Sequence, residues 1–197
     1  MTNRDRYLKA VENALDKNIF YHSLALEACM AGIYDYLKEN NKLKDGEPEL
    51  DDWTLAGLVH DIDYQGKYKE DHPNKTKEAL LDYGLELSNS VDQIVKAHAP
   101  SLTNVPTVSQ AQWSIFCADS LTGLIVAVAL VYPSKKLSDV KTSSVLKRFL
   151  KEPRFAAGTR REEVVLCEDP KGLGIPLADF IEICLNSMQR ISPNIGL

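Results

Sequence analysis

The sequence predicts an all-α fold, and three observations support this prediction. Apolar residues recur at intervals of three and four positions along most of the 197-residue chain, as they do on the buried face of an amphipathic helix. Capping residues and prolines stand where such helices would begin and end. No segment alternates apolar and polar residues in the way that a half-buried strand does. We therefore expect a bundle of helices without a β-sheet.

Five helices are predicted in the first half of the chain, separated by polar segments. Asp51 or Asp52 can cap the third helix, and Pro73 suits the first turn of the fourth. Ser88 or Ser90 can cap the fifth. The expected helices cover about 7–15, 19–39, 51–60, 73–83 and 88–99, with loops at 40–50 and 65–71 and with Pro100 ending the fifth helix.

The second half begins with a strongly apolar helix at about 109–131, which is stopped by Pro133 and is expected at the centre of the fold. A short helix follows at 143–151. Thr159 and Glu162 have the spacing of a capping box, and Pro176 opens the last helix. We expect one domain over 1–197, with a helical extension from about 138 as the alternative because no histidine occurs beyond that point.

The amino-acid composition limits the kinds of function that are compatible with the sequence. Apolar residues make up 44% of the chain and charged residues 26%, the balance of an ordinary globular protein. A net charge of −5 is unfavourable for binding a nucleic-acid polymer, but it allows a small phosphorylated substrate. The N-terminus has no apolar signal core, and the apolar run at 121–132 is too short to span a membrane, so we expect a cytoplasmic location. Four cysteines without a CxxC pair predict buried free thiols.

Titratable residues on apolar helix faces are the strongest functional signal. A single histidine on such a face is usually a core residue, but His22, His60 and His98 all lie on one. Asp119 stands in the middle of an apolar helix, with no lysine or arginine within a turn of it on that helix. A buried carboxylate is costly unless it is paired or coordinates a metal. Imidazole and carboxylate together favour Zn, Mn, Fe or Ni over Ca.

The order of these residues resembles the H…HD…D signature of the HD-domain superfamily. The segment 57–64, GLVHDIDY, is similar to the GLLHDID-type segment of that family. The segment 116–125, FCADSLTGLI, resembles the AADALTGLI-type segment of small bacterial and archaeal HD hydrolases, and 155–162 agrees with the same subgroup. The resemblance therefore covers nearly the whole chain. The residues that match the signature, each group on a different predicted helix, are His22, His60, Asp61 and Asp119.

The resemblance implies an HD-domain helical bundle that hydrolyses a small phosphoester, such as a nucleotide, with metal-activated water. The four signature residues would bind one divalent ion, Mn, Ni, Fe or Zn, with two ions as the alternative. Asp61 and Asp63 are the candidate catalytic residues, Asp63 as a general base, as an orienting group or merely as a solvated acid. Some nucleotidases of the family carry a glutamate three positions after the HD aspartate; Tyr64 stands there in this chain, so that assignment does not carry over.

The sequence leaves the roles of several residues, and alternative functions of the protein, open. His72 and His98 would bind a second ion, contact phosphate or water, or have no role. Lys67, Lys75 and Arg161 are candidate phosphate-binding cations, and Arg161 is the best placed because it lies in the first turn of a predicted helix. The alternative functions are a di-iron HD-type oxygenase and a non-catalytic, metal-bound module that senses a nucleotide. The substrate and the oligomeric state, including a homo-oligomer, are also open.

Overall fold

A computed structural model describes residues 2–197 and confirms the all-α prediction, since these residues form ten α-helices, four short 3₁₀ helices and no strand. The 3₁₀ helices cover Gly66–Asp71, Leu137–Asp139, Val165–Glu168 and Ser192–Ile195. The α-helices are α1 (Asn3–Ala14), α2 (Lys17–Glu39), α3 (Leu50–Val59), α4 (Thr76–Leu81), α5 (Asn89–Lys96), α6 (Pro100–Thr103), α7 (Gln110–Val131), α8 (Thr142–Lys151), α9 (Arg161–Val164) and α10 (Leu177–Arg190).

Helix α7 is the buried centre of the fold, as its apolar sequence predicts. It begins with a capping box in which the side chains of Ser109 and Gln112 each accept from the other residue's backbone N–H. Most of its side chains are buried all round, and it packs against α2, α5, α8 and α9. A helix in such a position needs no polar face, which explains why its sequence is apolar on every side.

The same helix is the only one in the described part of the chain that is long and apolar enough to cross a membrane. Of its most apolar 18-residue window, 67% is buried inside the protein. The buried central helix of a globular protein can be equally long and apolar, so these two properties are only weak evidence for a membrane span.

Helices α2 and α3 approach each other closely at Gly57. A Cβ atom on that residue would lie 2.9 Å from the backbone of Glu27, closer than real Cβ atoms come to other groups. Any larger residue would therefore push the two helices apart. Because His60 lies at the C-terminal end of α3 and His22 lies on α2, this contact brings the two imidazoles together.

The C-terminal residues share the core with the N-terminal helices. Helix α10 packs against α2 and α8, and Phe180, Cys184 and Met188 are fully buried on it. Within residues 2–197 all four cysteines are buried and free, which confirms that prediction.

The structure differs from the sequence prediction at several helix ends. Glu49 occupies the N-cap position of α3, so Asp51 and Asp52 lie in its first turn instead of capping it. Helix α5 ends at Lys96, and Pro100 opens α6.

The predicted capping box of Thr159 and Glu162 is wrong, because Arg160 takes the N-cap position of the four-residue helix α9. The expected loop at 65–71 contains a 3₁₀ helix, and α4 begins at Thr76, after Pro73.

Candidate metal centre

The four residues of the sequence signature meet at one point, although they come from three helices. His22 Nε2 lies 2.9 Å from Asp119 Oδ1 and 3.1 Å from His60 Nε2. His60 Nε2 lies 3.3 Å from Asp61 Oδ2. Ligand atoms bound at about 2.1 Å to one ion are separated from each other by about 3.0–3.4 Å. The ligand atoms of His22, His60 and Asp61 lie close enough together to hold a single ion, and Asp119 lies beside them, in contact with His22.

Asp61 also belongs to a second group of ligands. Its Oδ2 atom faces His22 and His60, while its Oδ1 atom lies 3.5 Å from His72 Nε2. His98 completes this group, whose ligand atoms all lie within 4.8 Å of one another. Two groups of His and Asp side chains that could hold a metal ion thus share one carboxylate. The structure places His72 and His98, whose role the sequence left open, in the same site.

The hydrogen bonds of the first two imidazoles direct a lone pair toward the centre. His60 Nδ1 lies 2.9 Å from the Gly57 carbonyl oxygen, so it donates its N–H there. The Thr122 hydroxyl donates to the Asp119 carbonyl at 2.8 Å, which leaves its oxygen to accept from His22 Nδ1 at 2.9 Å. In both neutral rings the Nε2 atom then carries a lone pair. Outer partners of this kind commonly fix the tautomer of histidines that bind metals.

The other two imidazoles follow the same rule. His98 Nδ1 faces the Val95 carbonyl at 2.6 Å, and His72 Nδ1 faces Asp63 Oδ1 at 2.7 Å. All four histidines thus turn Nε2 inward, toward two carboxylates. Four converging lone pairs and two negative charges repel one another, whereas a cation would attract them all. The donor set therefore fits a divalent transition ion.

Asp63 is fully buried, and both of its oxygens are engaged. Oδ1 accepts from His72, and Oδ2 accepts from the backbone N–H of Lys75 at 2.7 Å. A carboxylate with both oxygens occupied and no access to solvent is poorly suited to take a proton from water. Of the three roles open to Asp63, the geometry favours orienting His72 over general base or solvated acid.

In the metal-free site, the surrounding charges favour a proton on His60, at the position that a metal cation would occupy. Burial lowers the pKa of His60, but the charge of Asp61, a hydrogen bond to Asp61 and the charge of Asp119 outweigh it and raise the pKa to about 9. Burial raises the pKa of Asp119, but its close contact with His22 and the neighbouring imidazoles hold it well below its usual range. Burial and the nearby His60 lower the pKa of His98. One imidazolium among ionised carboxylates thus stands in for a metal ion.

Arg160 is the site residue that the sequence prediction did not select. Its Nη2 atom donates to Asp119 Oδ2 at 2.7 Å, and its Nε atom donates to Glu163. The sequence showed no cation near Asp119 on its own helix, but this guanidinium reaches it from the segment before α9. The Asp119 carboxylate therefore offers one oxygen to the imidazoles and the other to Arg160.

The three cations that the sequence proposed lie elsewhere. Arg161 donates to the main-chain carbonyls of Phe149, at 3.1 Å, and Phe155, at 2.6 Å, so it braces the loop before α9. Lys67 pairs with Asp82, and Lys75 pairs with Glu78, each at 2.7 Å. None of the three lines a cavity at the centre, so their role as phosphate-binding cations stays a prediction that the geometry of the site does not support.

Two cavities open onto the centre. The first has a volume of about 370 Å³ and lies over Asp61, His72 and His98, with Tyr64 on its wall. The second has a volume of about 320 Å³ and is lined by Gly158 and Thr159. His22, Asp119 and Arg160 line both. The candidate ligands and the guanidinium are therefore within reach of a small molecule.

No protein-family model, curated protein or solved structure matches this chain.

Proposed function

We propose that the protein is a metal-dependent phosphohydrolase of the HD-domain type that acts on a small phosphoester. The observation that carries the proposal is the Asp61 carboxylate, which lies between two pairs of inward-turned imidazoles at the floor of a cavity. The order of the ligands along the chain, which resembles the HD signature, supports the same reaction class.

The residues that would hold the ions divide into two sets. His22, His60 and one oxygen of Asp61 would hold the first ion, and His72, His98 and the other oxygen would hold the second. Asp119, which contacts His22 and matches the last aspartate of the HD signature, would complete the first set. A divalent Mn, Ni, Fe or Zn ion there would activate a water molecule and polarise a phosphoryl oxygen. Neutral imidazoles and only two carboxylates leave a pair of divalent ions with excess positive charge, which suits a phosphate dianion.

Arg160 is placed to bind the phosphoryl group. Its side chain is 41% exposed and lies at the junction of the two cavities, with one terminal nitrogen on Asp119. A guanidinium can grip two phosphate oxygens at once, and its charge would oppose the negative charge that builds up during transfer. Glu163, which accepts from Arg160 Nε, fixes the plane of the group.

The test is a screen for phosphate release. The protein would be stripped of metal, reloaded separately with Mn, Ni, Fe or Zn, and incubated with nucleotides, sugar phosphates and generic phosphatase substrates. We expect at least one substrate to be hydrolysed, with activity lost in chelator and in His60→Ala, and restored in the wild type by added Mn or Ni. Bound metal without phosphate release from any substrate would contradict the proposal.

One alternative draws on the same geometry. A carboxylate shared by two imidazole pairs also suits a di-iron centre that performs oxygenation. Oxygen consumption by the iron-loaded protein, together with no phosphate release from any substrate in the screen, would favour the oxygenase. Tight nucleotide binding without turnover would instead favour a sensing module.

A further inference from the structure

A third cavity, of about 540 Å³, adjoins the candidate centre between α2 and α7. Its walls are mostly apolar, and they include Tyr21, Val126 and Leu130. His22 and Gly123 line both this cavity and the one that contains Arg160, so the two are neighbours. We call this third cavity the Tyr21 groove. Its volume falls in the usual range for small-ligand pockets, about 300–1,000 Å³.

Gly123 stands where the groove meets the centre. It follows Asp119 by one helical turn, so it lies on the same face of α7. A glycine inside a helix costs about 1 kcal/mol relative to alanine, so it usually has a reason. Gly57 must be a glycine because the backbone of α2 leaves no room for a Cβ atom there. At Gly123, apart from its chain neighbours and the adjacent backbone of α7, no heavy atom of residues 2–197 lies within 4 Å of where a Cβ would be. The packing of the protein therefore does not require this glycine, and the space above it is open.

The far wall of the groove is built by the fold. Ile195 is buried, and the next residue, Gly196, places its backbone against the Tyr21 ring, with a Cβ there only 3.2 Å from the ring. Lys17 and Asn18 add polar groups to the lining. Aliphatic side chains facing an aromatic ring suit a flat apolar group, and the two polar residues could contact substituents on it.

We propose that the Tyr21 groove is the subsite for the leaving group, and that the substrate is the phosphate monoester of a ring-bearing, largely apolar alcohol. The ring would lie between Tyr21 and the aliphatic side chains of α7, and the ester linkage would cross Gly123 to the phosphoryl group at Arg160. This assignment rests on the proposed hydrolysis for the phosphate, but the groove itself does not.

Two esters that differ only in the leaving group test the proposal. In the Mn-loaded protein, Gly123→Leu should lower kcat/KM for 2-naphthyl phosphate by about tenfold or more, because the added side chain fills the crossing point. Methyl phosphate, which does not reach the groove, should change by less than about twofold, and Gly123→Ala should be intermediate. Equal losses for both esters, or no loss, would overturn the subsite.

A matched pair of leucines provides the control. Leu130→Ala removes a groove side chain that is 51% exposed, whereas Leu150→Ala removes one that is 60% exposed on α8. Only Leu130→Ala should weaken turnover of the naphthyl ester. This pair also carries the test if Gly123→Leu does not fold, since both changes lie at the surface.

Binding to the metal-free protein separates this proposal from the proposed function. The phosphate-free product, 2-naphthol, should bind saturably by its own fluorescence, with about tenfold weaker affinity in Gly123→Leu. If 2-naphthol binds but neither ester is hydrolysed, the phosphohydrolase proposal fails and the groove remains a ring-binding site. If both esters are hydrolysed but 2-naphthol does not bind, the subsite is wrong and the hydrolase proposal survives.

Discussion

Asp63 shows how one buried carboxylate sets the orientation of an imidazole at the centre. It accepts from His72 Nδ1 and from the backbone of Lys75, and these two donors hold it in place. The sequence could point to Asp63 because it stands two positions after Asp61, but it could not decide among its roles. That decision depends on the burial of the carboxylate and on the partner of each oxygen, which arise only when 63 and 72–75 fold together.

Asp63→Asn should selectively impair the second group of ligands. The amide keeps the shape of the carboxylate, but its NH₂ must face one of two N–H donors, which weakens the hold on His72. Loss of such an outer partner commonly lowers metal affinity by about 10–100-fold. We expect one tightly bound ion per chain and a second that dissociates on dialysis, measured by elemental analysis. Asp71→Asn, on the exposed 3₁₀ helix, is the control. Two ions retained at wild-type affinity would show that Asp63 does not position His72.

Arg160 and Arg161 are neighbours with opposite expected phenotypes. Arg160→Ala should lower kcat/KM for phosphate release by about 10²-fold, since it removes a charge near the reacting group. Arg161→Ala should leave kcat/KM nearly unchanged but destabilise the fold by about 1 kcal/mol, because partly buried carbonyls lose their donor. Steady-state kinetics and urea unfolding of both variants distinguish the two roles. A kinetic defect confined to Arg161→Ala would reverse the assignment.

At the scale of the elements, regular helices could be predicted and irregular segments could not. Helix α7 was located within one residue because its apolar run is bounded by a capping serine and a proline. The segment before α9 carries no such pattern, and it turns through Ala156 in a left-handed conformation, φ +45°. This turn precedes Arg160 by four residues. The sequence therefore predicted four candidate ligands that the fold brings together, but it selected Arg161 and not Arg160, whose guanidinium lies at the centre.

The two proposed capping boxes give an element-scale prediction. Ser109→Ala should destabilise the protein by about 1 kcal/mol, because the first turn of α7 loses its side-chain acceptor. Thr159→Ala should change the free energy of unfolding by less than about 0.5 kcal/mol, since that residue lies outside the cap position of α9. Urea denaturation of both variants measures the difference. Equal destabilisation by the two changes would mean that Thr159 supports its helix after all.

At the scale of the whole molecule, the centre lies where α2, α3, α5, α7 and the segment before α9 meet. The resemblance to the HD signature pointed to candidate ligands on α2, on α7 and at the end of α3, and it left a second ion as one of the roles open to His72 and His98. The cavities were not predictable, because they are the space left between helices whose relative positions depend on contacts such as Gly57 against α2. The same packing buries His60 among carboxylates, and this burial couples the stability of the whole protein to pH.

The pKa of His60 in the metal-free protein is raised from its ordinary value of 6.5 to about 9. A raised pKa means that the folded protein holds this proton more tightly than the unfolded chain does. The resulting stabilisation is complete below pH 6.5 and is lost as the pH rises through about 9. We therefore expect the thermal midpoint of metal-free protein to fall across this window.

Metal binding should reverse that dependence. An ion requires neutral His60, so below about pH 9 its affinity should rise by up to about tenfold per pH unit as the competing proton leaves. The Ni- or Mn-loaded protein should then keep its thermal midpoint, or raise it, where the metal-free protein loses stability. Scanning calorimetry between pH 6 and about 9.5, with and without metal, measures both curves, and metal-free His60→Gln should lack the fall. A metal-free wild type whose midpoint does not change across this window would mean that no proton replaces the ion at His60.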